Sequence, residues 1–206
     1  MGKAPRAAAA LAALAAAFAI GACGSSNDNG STNGGADASQ ITQAITAAAT
    51  SDDPSVCTKY QTQRFLDQTN DAQGAAAVRE CQKNPQNSVA DKVVVSDIQV
   101  EGDTATAKAA VTGSIFDGQT LDLALVKENG QWKLDEFKGF ENLNKDALVA
   151  AARQQFSSQN TPAPAVDCIA QQIQTASEAD IEGAFSGDSK AENRLFGPCS
   201  KYFKGG

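Results

Sequence analysis

Residues 119–140 read QTLDLALVKENGQWKLDEFKGF and contain two alternating segments separated by Asn129-Gly130. Apolar side chains occupy every second position in the central part of both segments: Leu121, Leu123, Leu125, Trp132 and Leu134. Such alternation is typical of strands with one buried face, and Asn-Gly is a strong signal for a two-residue hairpin turn. We therefore predict an antiparallel hairpin with strands over 119–128 and 131–140.

Two further strands are predicted upstream, over KVVVSDIQV (92–100) and DTATAKAAVTGSIF (103–116). Glu101-Gly102-Asp103 and Asp117-Gly118 separate the successive strands with turn-forming residues. Because each break is short, the four strands are expected to form an antiparallel meander with one solvated face and one apolar face.

Helical segments before the strands supply a cover for the apolar face. Ser39 can cap QITQAITAAA, Asp53-Pro54 begins a second helical stretch that extends through Leu66, and AQGAAAVRECQKN (72–84) forms a third. The predicted fold class is therefore α+β, with N-terminal helices packed on a curved four-stranded antiparallel meander. We place this domain at residues 40–158, including a helix over 144–159 capped near Asn142 or Asn144.

A small helical module is predicted at the C-terminal end. Residues 159–165 form a Pro-containing linker, and residues 166–206 form the module, with Asp167 as an N-cap and a second helix starting at Ser177. A segment of about forty residues buries little core by itself, so the module is expected to need a disulfide.

The N-terminal sequence has the features of an export signal. Lys3 and Arg6 precede an apolar run over 7–20, which is shorter than a membrane span. Ile20-Gly21-Ala22-Cys23 resembles the lipobox of bacterial lipoproteins, which implies cleavage between Ala22 and Cys23 and lipidation of Cys23. Residues 1–22 would then be the signal peptide and 23–39 a flexible tether. The alternative is an ordinary secreted protein cut after Ala22.

Cysteine usage agrees with export. The chain has five cysteines, and lipidation of Cys23 leaves four: Cys57, Cys81, Cys168 and Cys199. Disulfides persist in oxidising compartments, and four cysteines allow three pairings. Locality along the chain favours Cys57–Cys81 and Cys168–Cys199. A zinc site is disfavoured because the usual C-x₂₋₄-C spacing is missing.

Composition argues against several functions. The net charge of -7 disfavours nucleic acid as a partner, and the chain contains no histidine. Histidine-based acid–base catalysis, nucleophile activation and metal binding are therefore excluded. Neither a Gly-rich phosphate loop nor a G-x-S-x-G motif occurs. We expect no cofactor and no enzymatic activity.

The order of helices, the Cys57/Cys81 pair and the final G-x-W-x-L strand at Gly130–Leu134 are similar to the nuclear transport factor 2-like (cystatin-like cone) family. The resemblance covers about residues 40–145, and its small bacterial lipoprotein members are the nearest type. It implies a curved sheet around a long helix and a conical cavity, for which Tyr60, Phe65 and Trp132 are candidate lining residues. The family includes isomerases, dehydratases and binding modules, so the fold alone does not define a function.

Carboxylates offer the remaining candidates for chemistry. Some isomerases of the resembled family use a cavity carboxylate with a phenol, for which Asp97, Asp122 or Asp135 and Tyr60 are the candidates. Alternation along the strands instead predicts that Asp122 and Asp135 face water. The acidic stretch Ser177, Glu178, Asp180, Glu182 and Asp188 does not match an EF-hand and is expected to cap helices.

Together these features predict a lipoprotein anchored through Cys23 on the extracytoplasmic side of the cell membrane. Its expected role is non-enzymatic binding of a small apolar ligand or a partner protein. Two alternatives stay open: an isomerase- or dehydratase-like enzyme using a cavity Asp and Tyr, and a structural or regulatory accessory of a membrane complex.

Overall fold

A computed structural model describes residues 34–70, 72–83 and 89–203. The predicted signal peptide, the cleavage site between Ala22 and Cys23, the lipidated Cys23 and residues 23–33 of the predicted tether lie outside the described residues. The helices are α1 (Gly34–Thr50), α2 (Val56–Lys59), α3 (Gln63–Thr69), α4 (Ala75–Lys83), α5 (Lys145–Ser158), α6 (Ala163–Thr175), α7 (Glu178–Phe185), α8 (Ser189–Phe196) and a 3₁₀ helix over Gly197–Tyr202. The strands are β1 (Lys92–Glu101), β2 (Thr104–Thr112), β3 (Thr120–Glu128) and β4 (Gln131–Phe140).

The four strands form one antiparallel sheet in the order β1-β2-β3-β4, which confirms the α+β class and the meander. At the β3–β4 turn, Asn129 and Gly130 both take positive φ, 51° and 80°, as a type I′ turn requires. Trp132, Leu134 and Phe137 of β4 are buried on the inner face of the sheet, against helix α1. The predicted hairpin is therefore confirmed.

Helix α1 begins at Gly34, five residues before the predicted cap at Ser39, so residues 34–39 are helical rather than part of a tether. The reason is a tertiary contact in its first turn. The Asp37 carboxylate accepts hydrogen bonds from Lys127 Nζ at 2.7 Å and Trp132 Nε1 at 2.9 Å. Both donors come from the β3–β4 hairpin, which the local sequence around Ser39 cannot reveal.

The helical stretch predicted after Pro54 is broken into α2 and α3. The intervening backbone pairs with β4 instead: Leu134 N donates to Tyr60 O and Thr62 N donates to Leu134 O, both at 2.8 Å. The Thr62 hydroxyl then caps α3 by accepting from Phe65 N at 3.1 Å. A strand more than seventy positions away therefore interrupts the helix.

Two other boundaries also differ from the predictions. Strand β2 ends at Thr112 rather than at Phe116, because Gly113 and Ser114 take positive φ and turn the chain into a loop. Helix α6 begins at Ala163, four residues before the predicted N-cap Asp167, with a proline in its first turn. The predicted linker over 159–165 therefore ends at Pro162.

Both predicted disulfides are present. Cys57–Cys81 joins α2 to α4, and Cys168–Cys199 joins α6 to the 3₁₀ helix. Cys57 and Cys199 have no exposed surface. On the chain-entropy model, loops of 24 and 31 residues each correspond to about 3–4 kcal/mol of stabilisation.

The C-terminal helices contact the sheet directly. The Glu182 carboxylate of α7 accepts a hydrogen bond from Phe140 N at 3.0 Å, at the end of β4. Gly139 beside it has φ 141°, and a Cβ at this position would overlap the Glu182 carboxylate. The described residues accordingly all belong to one compact unit.

We predict that Gly139→Ala destabilises the protein by roughly 1–3 kcal/mol in urea or thermal unfolding. Alanine would strain the backbone at this φ and would push Glu182 away from Phe140 N. Gly102→Ala is the matched control, because Gly102 also has positive φ, 63°, but no atom lies within 4 Å of the position that a Cβ would take there. Equal losses of unfolding free energy in the two variants would contradict a contribution of the Glu182 contact to stability.

Candidate functional site

A polar groove of about 510 Å³ lies between the segment before β1, the β2–β3 loop and the C-terminal half of α5. Six of its polar lining residues are Asp91, Thr112, Ser114, Asp117, Gln154 and Ser158. This groove is the candidate site because three separate parts of the chain contribute polar side chains to one concave surface.

Backbone geometry at Gly113 brings two carboxylates to the groove. Gly113 has φ 79°, and its amide donates to Asp117 Oδ1 at 2.7 Å. A Cβ on Gly113 would lie 2.8 Å from Asp91 Oδ2 and 2.9 Å from Asp91 N, so only glycine fits between these groups. Asp91 and Asp117 therefore both lie next to the same glycine.

The chemistry of the groove suits a polar or cationic group. Carboxylates accept hydrogen bonds, whereas hydroxyl and amide side chains both donate and accept. A second groove of about 630 Å³, beside the start of α5, is also lined largely by polar residues, including Asn142, Asn144 and Asp146. Neither groove presents the apolar lining that is typical of a site for a hydrophobic small molecule.

The three predicted cavity-lining residues are in or beside the core. Trp132 has no exposed surface, Tyr60 is 8% exposed, and Phe65 is half-buried. Lys127 Nζ lies 5.5 Å from the centre of the Trp132 ring and adds a cation–π contact to its hydrogen bond with Asp37. None of the three predicted residues lines either of the two grooves.

An aromatic cluster covers the inner face of β4 near its C-terminal end. Phe137 and Phe140 of β4 have ring centres 5.2 Å apart, and Phe185 of α7 lies 6.1 Å from Phe140. Phe116 from the β2–β3 loop lies 5.2 Å from Phe185 in an edge-to-face arrangement. The C-terminal helices therefore contribute a side chain to the apolar face of the sheet.

Two of the three candidate catalytic carboxylates, those of Asp97 and Asp135, are bonded to other side chains. Asp135 accepts from the Thr62 hydroxyl at 2.9 Å and from Arg64 at 2.8 Å. Asp97 lies 3.2 Å from Lys108 Nζ, and Asp122 is half-buried. Among the described residues, no hydrogen bond joins the Tyr60 hydroxyl to any of these three carboxylates, so the structure does not bring them together as a pair.

Most residues of the acidic stretch cap helices or form hydrogen bonds that connect a helix to a neighbouring element. Ser177 Oγ accepts from Asp180 N at 3.1 Å, and Asp188 caps α8 by accepting from Lys190 N at 2.8 Å. The hydrogen bond from Arg194, followed by that from Ser177, lowers the pKa of Asp180. In the part of the chain that the structure describes, no group of three or more acidic or cysteine side chains is arranged to hold a metal ion.

Sequence reasoning missed the groove residues, because Asp91, Asp117 and Gln154 are far apart in the chain and each is an ordinary surface residue alone. The one local signal is Gly113, whose Thr-Gly-Ser context marks a turn rather than a strand interior. No protein-family model, curated protein or solved structure matches this chain.

The Asp37 contact generates a pH-dependent prediction. The hydrogen bond from Lys127, followed by that from Trp132, holds the pKa of Asp37 below its ordinary value of 3.8. Because the folded-state pKa is lowered, this group stabilises the fold above pH 3.8, and the contribution is lost as the pH falls through the folded value. Asp37→Asn should therefore lower stability at neutral pH and reduce the loss of stability on acidification.

The measurement is the urea midpoint between about pH 5 and about pH 2, where this linkage acts. Asp52→Asn is the control, since the exposed Asp52 makes no hydrogen bond or ion pair with the described residues. The control should follow the wild-type pH profile. If Asp37→Asn also followed it, Asp37 would not anchor α1 to the hairpin.

Proposed function

We propose that this protein is a lipid-anchored, extracytoplasmic binding protein with a non-enzymatic role. The observation that carries the location is the state of the cysteines. Four of the five cysteines form two disulfides, and the remaining one is Cys23 in the lipobox-like sequence. Structural disulfides are typical of exported proteins, which supports a signal peptide before Cys23.

The anchor would place the described residues close to the membrane surface. None of the helices within 34–70, 72–83 and 89–203 combines the length and apolarity needed to cross a membrane. In this proposal attachment depends on Cys23, where two acyl chains would give stable anchoring. Residues 24–33 separate this cysteine from α1 and extend at most about 35 Å.

For the binding role, the polar groove supports a partner protein rather than an apolar small molecule. Its carboxylates Asp91 and Asp117, with the Gln154 amide and the Ser158 hydroxyl, are suited to a polar segment that carries a lysine or arginine. The C-terminal end of the inner face of β4, by contrast, is covered by the aromatic cluster that contains Phe116 and Phe185.

A second candidate, a structural accessory of a membrane complex, is favoured by that same aromatic cluster. Phe185 ties α7 to the sheet, and Glu182 adds a hydrogen bond to the end of β4. A rigid unit of this kind could hold a partner near the membrane without an occupied groove.

We predict that Cys23→Ser abolishes metabolic labelling with a radioactive fatty acid and releases the protein from the membrane fraction. The thiol is the acceptor for the lipid, and serine cannot form the thioether. Ser25→Ala, two residues away, is the control and should retain both properties. Unchanged labelling in Cys23→Ser, or four free thiols in the native protein by mass spectrometry, would contradict the anchor and the exported location respectively.

We also predict that a photo-crosslinking amino acid at Gln154 captures one defined partner on intact cells. Gln154 is exposed and lines the groove, whereas Gln171 is exposed on α6 and does not line it. The same crosslinker at Gln171 is therefore the control. Adding Asp91→Asn with Asp117→Asn should reduce capture at Gln154 by about tenfold, on the scale of one lost charge-assisted contact. Equal capture from positions 154 and 171 would rule out the groove as the binding site.

A further inference from the structure

The two edges of the sheet differ. Along β4, the outer edge is occupied by the Tyr60–Thr62 backbone at Leu134, the Gln68 side chain at Phe137 and the Glu182 side chain at Phe140. β1 is the opposite edge, and among the described residues its strand pairing is with β2 alone. An uncovered edge strand presents backbone donors and acceptors to another strand.

A bulge divides β1 into two halves. Asp97 has φ 51°, and the register with β2 shifts between Ser96 and Gln99. Before the bulge, Val93 and Val95 are the residues that pack against the core; after it, Ile98 and Val100 do so. The inward-facing positions therefore change from odd to even numbers at the centre of the strand.

This change of phase fits a two-fold axis between Ser96 and Asp97. In an antiparallel pair, directly opposed residues lie on the same face of the sheet. If a second copy of β1 pairs about that axis, Val93 lies opposite Val100 and Val95 lies opposite Ile98, so apolar inward positions meet. The same register pairs all ten residues of the strand, Lys92 to Glu101, with matching faces.

The charges at the strand ends are complementary in that register. Lys92 lies opposite Glu101 of the second copy, and the two-fold axis generates the pair twice. Both side chains are exposed, and neither forms an ion pair with the described residues. Val94, which is 51% exposed, would lie opposite Gln99 and lose part of its contact with water.

We propose that two copies of this chain associate through β1, antiparallel and about the axis between Ser96 and Asp97, to form one continuous eight-stranded sheet. The interface is isologous, because each copy contributes the same strand. The interface uses neither Cys23 nor the polar groove. The dimer proposal therefore goes beyond the binding role proposed above and does not depend on that role.

The first test is a charge exchange in the full chain, measured by sedimentation equilibrium in detergent. Wild type should dimerise, and Lys92→Glu or Glu101→Lys should each weaken the dimer by about tenfold or more, because two pairs become like-charged. The double variant Lys92→Glu/Glu101→Lys should return to within about threefold of wild type, on the same scale of pair energies. A monomeric wild type, or a double variant no tighter than the single variants, would overturn the proposal.

The second test fixes the register. Val94→Cys/Gln99→Cys should give a disulfide-linked dimer on non-reducing gels, because opposed residues in an antiparallel pair lie within disulfide range. The single variants Val94→Cys and Gln99→Cys are the controls. In each, the two new thiols would be about five residues apart along the strands, roughly 17 Å. Failure of the double variant to crosslink, or equal crosslinking by the single variants, would overturn the proposed register and the axis between Ser96 and Asp97.

Discussion

The outer edge of β4 carries the hydrogen bonds that connect the helical regions to the sheet. Its backbone is bonded by groups that are not part of any sheet: the Tyr60–Thr62 segment at Leu134, the Gln68 amide at Phe137 and the Glu182 carboxylate at Phe140. The first two come from the N-terminal helical region and the third from α7. One strand edge thus joins the N-terminal helices, the sheet and the C-terminal helices. Because its backbone groups at these positions are already bonded, they are not available to pair with a strand of another molecule.

Glycine makes this close approach feasible. Gly139 lacks the side chain that would overlap Glu182, and at Gly187, after α7, a Cβ would lie 2.8 Å from Gln68 O. The turn after α7 therefore lies directly against the C-terminal end of α3, whose Gln68 side chain bonds to the backbone of Phe137. Each hydrogen bond contributes only about 0.5–1.5 kcal/mol net, but a buried amide left without a partner costs more. The hydrogen bonds are therefore required where β4 is buried, and the aromatic cluster with Phe185 buries the C-terminal end of the strand.

Local sequence patterns predict some features of this fold, whereas features that depend on tertiary contacts are not predicted. Asn129-Gly130 and the alternation around it define the β3–β4 hairpin, because turn type and strand pleat are local properties. Locality along the chain favours, among three possible pairings, the two disulfides that the structure contains. The sequence does not predict the interruption of the helix at Tyr60–Thr62, because the hydrogen-bond partner of that segment is the distant Leu134. The earlier start of α1 is not predicted either, because it depends on Lys127 and Trp132. The groove and the Phe116–Phe185 contact likewise join residues that no sequence window contains together.

The two edges of the sheet differ in what they contact: β4 is bonded to the helical regions, whereas the strand pairing of β1 among the described residues is with β2 alone. Amide hydrogen exchange, measured residue by residue by NMR, tests whether side chains and a loop occupy the β4 edge. We predict that the Leu134, Phe137 and Phe140 amides exchange as slowly as those in the centre of β3, because each donates to a fixed acceptor. Exchange of these three amides at the rate of the exposed β3–β4 turn would contradict it.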